Sequence, residues 1–483
     1  MAAARLVAFS KHEEELVHQQ SIRCLGEIGV LIKSESVQAQ LSKAGAEVDK
    51  GTGVVKIPEA MVKEALRSAP KAFRLCGRNP EHDRDVPVKN HPLLATTGLA
   101  VYTTDLDAGE RRPTTSKDLA AFSKMADAMS GVDICWTTVT AHDVVQDALA
   151  PHSLWVALQN NSKHVQVVPP SRGSRDASIQ IDIAALVAGG RDELRKRPIF
   201  SVIMCPVAPL TFERNAVEAQ AEFARAGIPI VCMSMSLSGM SSPVTLAGTI
   251  VNINSENLAS LVISQLSSKG APFIYSSESA PIDMTTGVMD YVAAEIPAIN
   301  AGASQMAHRY GLPCMVSSWG TETKEPGIQA SFSELAVTLV GNMVGSDLCS
   351  GAGSIDSAKG ASLEQVVIDS YMWENCRTMM REFEVSEESI ALEVTKAVGH
   401  GNTFLRHPHT ARNFRRTIAF RDQKKKLWEA TLSTKMAPEA REIAKGVLGR
   451  HEVPSVDPGV VRKAEALLKD YDKEVSGKSR RPF

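Results

Sequence analysis

Eight short apolar runs, each closed by small, polar or aromatic residues and each followed by a helix-patterned stretch, recur through the middle of the chain. They read Leu93 to Thr97, Ile134 to Thr140, His164 to Val168, Ile199 to Cys205, Ile230 to Met235, Phe273 to Ser277, Cys314 to Ser318 and Asp347 to Ser350. Each is bounded by Gly, Pro or Ser, as a strand buried on both faces should be. Between them the spacing turns helical: Leu258, Leu261, Val262 and Leu266 fall on one face, and Ile328, Phe332, Leu335 and Leu339 on another. Alternation of strand and helix predicts a parallel sheet with right-handed crossovers, and eight units close into an α/β (β/α)₈ barrel. The competing arrangement is a doubly wound open sheet. Neither a GxGxxG nor a GxxxxGK[ST] loop follows the first run, where nucleotide-binding open sheets usually carry one, so the barrel is preferred.

The flanks read differently. Residues 1–90 predict an α+β cap: a helix around Ser21 to Ile32, a second short helix, a Gly51 to Gly53 turn into VVKIP, a helix from Glu59 to Arg67 and the strand AFRLCG. The barrel occupies 91–385. Residues 386–483 form a charged helical extension that passes through FLRHPHTARNFRR and ends in an amphipathic stretch from Val460 to Tyr471 and a basic tail.

Composition narrows the function. At 483 residues and 43% hydrophobic the chain can bury a large core and more than one domain. A formal net charge of −2 provides no general field for nucleic acid. No apolar stretch is long enough to span a bilayer, and MAAARLVAFSKHEEE lacks the apolar centre of a signal peptide, so a cytoplasmic protein is expected. Cys135, Cys205, Cys232, Cys314 and Cys349 fall within predicted barrel strands, where a thiol serves as a small apolar side chain. There is no CxxC, HxC or HExxH spacing, so no metal site is expected, although ligands on separate strand ends would leave no local signature.

Several ordered blocks carry a resemblance. They are Gly29–Val30 with the later AGAEVD, DLDAGERRPTTSKDL from Asp105, ELRKRPIFSVIMCPVAPL ending at Leu210, GMSSPVTLAGTIVNINSENLASL from Gly239, and FLRHPHT ending at Thr410. With these the chain resembles the trimethylamine methyltransferase family of corrinoid-dependent methyltransferases, in its branch without pyrrolysine. The resemblance implies a barrel enzyme that moves a methyl group from a methylated amine to the cobalt of a corrinoid held by a separate small protein. Founding members carry pyrrolysine in the loop after the seventh strand, whereas this chain reads SSWGTETKEPGIQA there. In the family picture pyrrolysine activates a tertiary amine. A quaternary ammonium needs no such help, because its leaving group is already a neutral amine, so in-line attack requires alignment and exclusion of water, not a general acid. The expected substrate is therefore a quaternary amine, with glycine betaine first because pyrrolysine-free relatives use it.

A trimethylammonium group is held best against aromatic faces, at about 0.5 to 2 kcal/mol per ring. Aromatics make up 5% of the chain, and Tyr102, Trp136, Tyr275 and Trp319 all lie at or near predicted strand ends. Each suits plain packing as well. Trp319 lies close to where the resemblance places pyrrolysine, and Glu322 in the same loop offers anionic charge or an exposed ion pair. Lys324 is rejected as a Schiff-base lysine because Glu322 and Glu325 favour its charged form. Arg172 and His142 are candidate donors to a substrate carboxylate, with surface loops as the alternative. Glu278 is a further rim charge that faces either cation or solvent.

Gly351, Gly353 and Ser354 after the eighth strand form a small-residue loop with three open readings: a phosphate cradle, a corrinoid-approach loop or a plain turn. PVAPL and GMSSPVT shape the rim. No DxHxxG pattern occurs, so the chain itself is expected to bind no cofactor and the corrinoid must come from a partner. RHPHTARNFRR and Lys424 to Lys426 form a basic segment that suits partner docking or a solvated helical face. Exposed helices suit a homo-oligomer. Two other functions stay open: a barrel enzyme for a phosphorylated metabolite, and a noncatalytic betaine-binding protein.

Overall fold

The apolar runs become eight parallel strands in a computed structural model that describes residues 5–168, 171–317, 320–379, 382–418 and 435–478. They are β1 (Leu93–Thr96), β2 (Ile134–Trp136), β3 (His164–Val167), β4 (Phe200–Met204), β5 (Ile230–Ser234), β6 (Phe273–Ser277), β7 (Cys314–Ser317) and β8 (Leu348–Ala352). The sheet closes on itself: Leu348 of β8 aligns with Leu93 of β1, and Ala95 of β1 aligns with Ile134 of β2. A long helix follows each strand, with a short second one, Arg191–Lys196, before β4: α1 (Ser116–Ala128), α2 (Leu149–Asn160), α3 (Ser174–Ala188), α4 (Arg214–Ala226), α5 (Leu246–Ser267), α6 (Ile296–Tyr310), α7 (Ile328–Met343) and α8 (Leu363–Met379). The expected (β/α)₈ barrel is therefore present.

Side chains alternate along each strand. Ala95, Ile134, Ile203, Val231, Met233, Ile274, Met315 and Leu348 fill the barrel interior as one cluster, while Val165, Val202, Cys232, Tyr275 and Val316 pack outward under the helices. Carboxylates tie the strand starts together. Asp347 accepts from the backbone N–H groups of Cys314 and Val88, and Asp133 accepts from Leu94. Buried Lys163 donates to the carbonyls of Ala126, Met129 and Val132, satisfying acceptors at and just beyond the end of α1.

Three local expectations are corrected. The second run stops at Trp136 instead of Thr140, because the Thr138 hydroxyl folds back onto the Trp136 carbonyl at 2.9 Å. The first helix is Lys11–Arg23, extended by a π turn at Cys24–Ile28, and Val30–Ile32 is a strand. A capping box of Ser10 with Glu13 starts that helix, and Gly29 ends it at φ +80°, where a Cβ would lie 2.6 Å from the Val55 carbonyl oxygen. On α7 the buried face is Ala330, Ser331, Glu334, Val337 and Thr338, while Leu335 of the expected apolar stripe is exposed. Its packed side is polar because it meets Gln365 and Asp369 of α8.

The cap is built into the barrel. Its strands Val30–Ile32, Val54–Lys56 and Glu47–Asp49 take a fourth, Thr211–Phe212, from the loop after β4. The hairpin Phe73–Leu75 with Arg84–Val86 inserts Leu75 and Val86 into the interior cluster at the strand starts, closing that end. Near the other terminus, Met436–Arg450 packs on α8 and Pro458–Lys478 on α3. No helix among the described residues is long and apolar enough to cross a membrane.

Candidate active site

The open end of the barrel is defined by where burial stops. Ile203, Met233 and Ser276 are fully enclosed, whereas Cys205, Met235 and Glu278, two residues further on and just past the ends of β4, β5 and β6, keep partial solvent access. Alternation along each strand points all six inward. Solvent thus enters from the strand ends and reaches a layer made by a thiol, a thioether and a carboxylate.

Glu278 is the charged group of this layer. It accepts from the Ser350 hydroxyl of β8 at 3.2 Å, and its backbone N–H donates to the Ser234 carbonyl at 2.9 Å. Burial pushes its carboxyl up to about 7, against a smaller opposing effect of the Ser350 hydrogen bond. Its charge also contributes to raising Cys205 and Tyr291, whose shifts come first from burial, so both lie near it. Tyr291, in the loop after β6, packs against Gly320 after β7, where a Cβ would sit 2.9 Å from the Tyr291 ring.

Trp136 enters the same end from β2. Its ring is pressed by Gly98, at which a Cβ would lie 2.1 Å from the indole Cε2. Gln166, aligned with Trp136 on β3, donates from Nε2 to Met315 Sδ at 3.7 Å and so spans the interior. Trp136 Nε1, Gln166 Oε1 and Ser276 Oγ are buried with no hydrogen-bond partner among the described residues. Unmet polar atoms lining an enclosed interior suit a ligand that carries both an apolar cationic head and a polar end.

The supporting loops are fixed by a buried polar network. Glu256 of α5 accepts from the Ser234 hydroxyl at 2.6 Å, the Leu210 backbone N–H at 2.9 Å and Asn252 Nδ2 at 3.0 Å. The loops after β4 and β5 are therefore held by one carboxyl. Burial raises its pKa despite these three donors.

Other sequence candidates lie elsewhere. Tyr275 points outward from β6, with its hydroxyl donating to Asn254 Oδ1 of α5 at 3.3 Å, so it is not a mouth residue. The sequence reading took its place near a strand end without fixing its parity. Tyr102 sits on a rim strand, Tyr102–Thr104, and the Arg111 guanidinium covers its ring at 3.8 Å from the centroid, so that face already holds a cation. Arg172 is paired with Asp147, and its backbone N–H donates to Asp176, which holds its fork in the β3–α3 loop away from the interior. His142 is exposed, with Nδ1 against the Thr114 carbonyl at 3.1 Å, and Glu322 is exposed in the loop after β7. Trp319 lies outside the described residues, as do Lys424 to Lys426. Tyr291 was missed because it follows the sixth strand by fourteen residues, with no periodic signal.

The loop after β8 is closed as well. Gly351, Gly353 and Ser354 are buried, and Ser354–Ile355 pairs with Gly360–Ala361. The Gly353 N–H donates to Asp369 Oδ2 at 2.7 Å, and a Cβ there would meet Val366 at 2.4 Å. That N–H is not available to a phosphate, and the buried segment is not an open approach path.

Comparisons with known proteins agree with this architecture. A family model described as trimethylamine methyltransferase (MTTB) matches residues 2–475. A trimethylamine methyltransferase of Desulfitobacterium hafniense is 35% identical over 85% of this chain and 82% of its own length. One of Methanosarcina barkeri is 31% identical over 97% and 96%. A glycine betaine methyltransferase of Desulfitobacterium hafniense is 26% identical over 96% and 97%. The crystal structure of the monomethylamine methyltransferase of Methanosarcina barkeri superposes with a TM-score of 0.51 at 13% identity, covering 91% of this chain and 92% of that one, a likeness of fold.

Proposed function

The chain belongs to the trimethylamine methyltransferase family, and from that premise we propose that it takes a methyl group from a quaternary amine and delivers it to the Co(I) corrinoid of a separate carrier protein. The observation that carries this reading is the acid at the strand ends, where Glu278 faces the interior with partial solvent access near Tyr291, while Trp136 enters the interior cluster from β2 with its indole buried. A permanently charged nitrogen is attracted by the Glu278 carboxylate and by the ring quadrupoles. The orphaned Trp136 Nε1–H is a donor suited to a substrate carboxylate such as that of a betaine.

The chemistry balances without proton transfer. The electron pair of Co(I) forms the bond to the methyl carbon, the C–N bond breaks, and its pair leaves on the departing amine, which becomes neutral. The chain's own residues bind, align and exclude water; no residue among them has to donate a proton. Tertiary amines differ on this point, since demethylation leaves a poor anionic group unless the nitrogen is first activated.

The relatives above 30% identity cited here are named for trimethylamine and the one named for glycine betaine is less similar, so overall identity does not favour the quaternary substrate. What favours it is SSWGTETKEPGIQA, which has ordinary residues after the seventh strand. The test is anaerobic incubation with a Co(I) carrier and a panel of methylated amines, following cobalt absorbance. Quaternary amines, glycine betaine among them, are expected to yield methyl-Co(III) while trimethylamine does not. Comparable turnover of trimethylamine overturns the substrate assignment, and no transfer from any amine overturns the activity.

A further inference from the structure

All eight cysteines are free thiols, but only Cys24 and Cys205 keep solvent access. Cys135, Cys232, Cys314 and Cys349 pack outward under the barrel helices, where a thiol simply fills space. Cys205 differs from them. It follows β4, packs against the interior cluster and lies beside Glu278, whose charge acts on it. Met235, just past the end of β5, packs against the same cluster. Three adjacent strands, β4, β5 and β6, thus set a thiol, a thioether and a carboxylate side by side on one wall of the layer that solvent reaches. Ser350 faces this wall from β8, four strands away from β4 in either direction.

Sulfur at two of these three positions fits one kind of ligand. A quaternary ammonium has no N–H to donate and spreads its charge over its N-methyl hydrogens. A wall of hydroxyls or amides would give up bonds to water and gain none in return. A thiol and a thioether are weakly hydrated, polarisable and able to follow the shape of a rounded head. Burial, followed by the charges of Glu278 and Glu256, pushes the Cys205 thiol up to about 12, so it meets a ligand uncharged. The wall therefore concentrates its charge in Glu278 and leaves both sulfurs for methyl contact. Cys205 is also its shortest side chain, so a longer one there would take up the room its neighbours leave. Resting on the quaternary-amine reading of this mouth, we infer that Cys205 and Met235 form the surface against which the N-methyl groups sit, and that Cys205 sets the size of the N-substituents accepted.

The test uses the thiol itself, in the full chain and without a methyl acceptor. Methanethiosulfonates bearing trimethylammonioethyl, sulfonatoethyl or methyl groups are compared at mildly alkaline pH, with modification of Cys205 and Cys24 read by peptide mass spectrometry. In each reaction the thiolate forms a disulfide with the transferred sulfur, methanesulfinate leaves with its electron pair, and the thiol proton passes to buffer. The preference for the cationic over the anionic reagent is expected to be at least tenfold greater at Cys205 than at Cys24. Tetramethylammonium should protect Cys205 and not Cys24, and Glu278→Gln should bring the preference at Cys205 down to that at Cys24. Size is read by calorimetric binding. Cys205→Ala should raise affinity for tetraethylammonium relative to tetramethylammonium at least threefold, and Cys205→Leu should weaken tetramethylammonium at least tenfold with the thermal transition in place. A Cys205 that resists all three reagents, equal charge preference at the two thiols, absence of protection or an unchanged size ratio overturns the inference. Methyl transfer by a protein lacking the charge preference would sink this contact alone, whereas preference and protection without transfer from any amine would sink the reaction alone.

Discussion

Glu278, directly after β6, and Ser350 of β8, 72 residues apart, meet across the open end of the barrel through a 3.2 Å hydrogen bond. With burial raising the Glu278 carboxyl to about 7, its charge is the variable element of the mouth near neutrality. A bound cation favours the ionised form, so substrate binding releases a proton. Affinity for a quaternary amine should rise as pH climbs from about 6 to 8, and Glu278→Gln should weaken binding roughly tenfold and flatten the pH profile. Calorimetric titration in buffers of different ionisation enthalpy measures both effects.

The same group makes a stability prediction of defined sign. Folding raises this carboxyl above its ordinary value, so between about pH 4.5 and 7 the folded state binds more protons than the unfolded state. Its contribution to stability is greatest below that window and falls as pH rises through it. Glu278→Gln should remove this slope, making the variant relatively more stable at pH 8 than at pH 5 when compared with wild type in urea denaturation.

Gly98 and Trp136 form a second lever. A methyl group at Gly98 would lie within the indole ring, so Gly98→Ala must displace Trp136. About 1 to 3 kcal/mol of stability is expected to be lost, with a rise in KM. Trp136→Phe keeps an aromatic face but loses the Nε1 donor. A substrate with a carboxylate should then lose affinity while one without it should not, which steady-state kinetics on paired substrates would separate.

Tyr275→Phe should behave differently. Its hydroxyl serves Asn254 outside the barrel, so turnover and KM should stay near wild type while stability falls by about 1 kcal/mol. A large loss of activity without unfolding would return Tyr275 to the site.

Asp369 and Glu334 give a prediction for the loop after β8. Asp369 is fully buried and raised to about 7, chiefly by desolvation, while holding the Gly353 N–H at 2.7 Å and Gln365 Nε2 at 2.7 Å. Both Glu334 oxygens are buried without a partner among the described residues, and burial beside Asp369 drives its carboxyl well upward. Glu334→Gln should be neutral or stabilising at pH 8. Asp369→Ala strands the Gly353 N–H and should cost about 1 to 3 kcal/mol, readable as faster amide exchange at Gly353.

How much of this was legible in the sequence depended on periodicity. The barrel was legible because strands buried on both faces are unbroken apolar runs between Gly, Pro and Ser, and each run lies within a residue or a few of its strand. The register was not. Parity along β6 separates Glu278, inside, from Tyr275, outside, and an all-buried run such as FIYSS carries no alternation to reveal it. The α7 stripe was misjudged for a related reason, since a helix whose buried face carries Ser331, Glu334 and Thr338 inverts the usual hydrophobic signal. Tyr291 and Gln166 gained their places from a long loop and from a reach across the interior, neither of which leaves a spacing to read.

Leu75 and Val86 seal the strand-start end, which makes the barrel a cul-de-sac. Everything that enters must leave by the same door. Under the proposed transfer, a small molecule has to be seated before a bulky methyl acceptor settles over the opening, and the demethylated remnant stays behind until that acceptor lifts away. Traffic through this protein is thus ordered by topology: last in, first out.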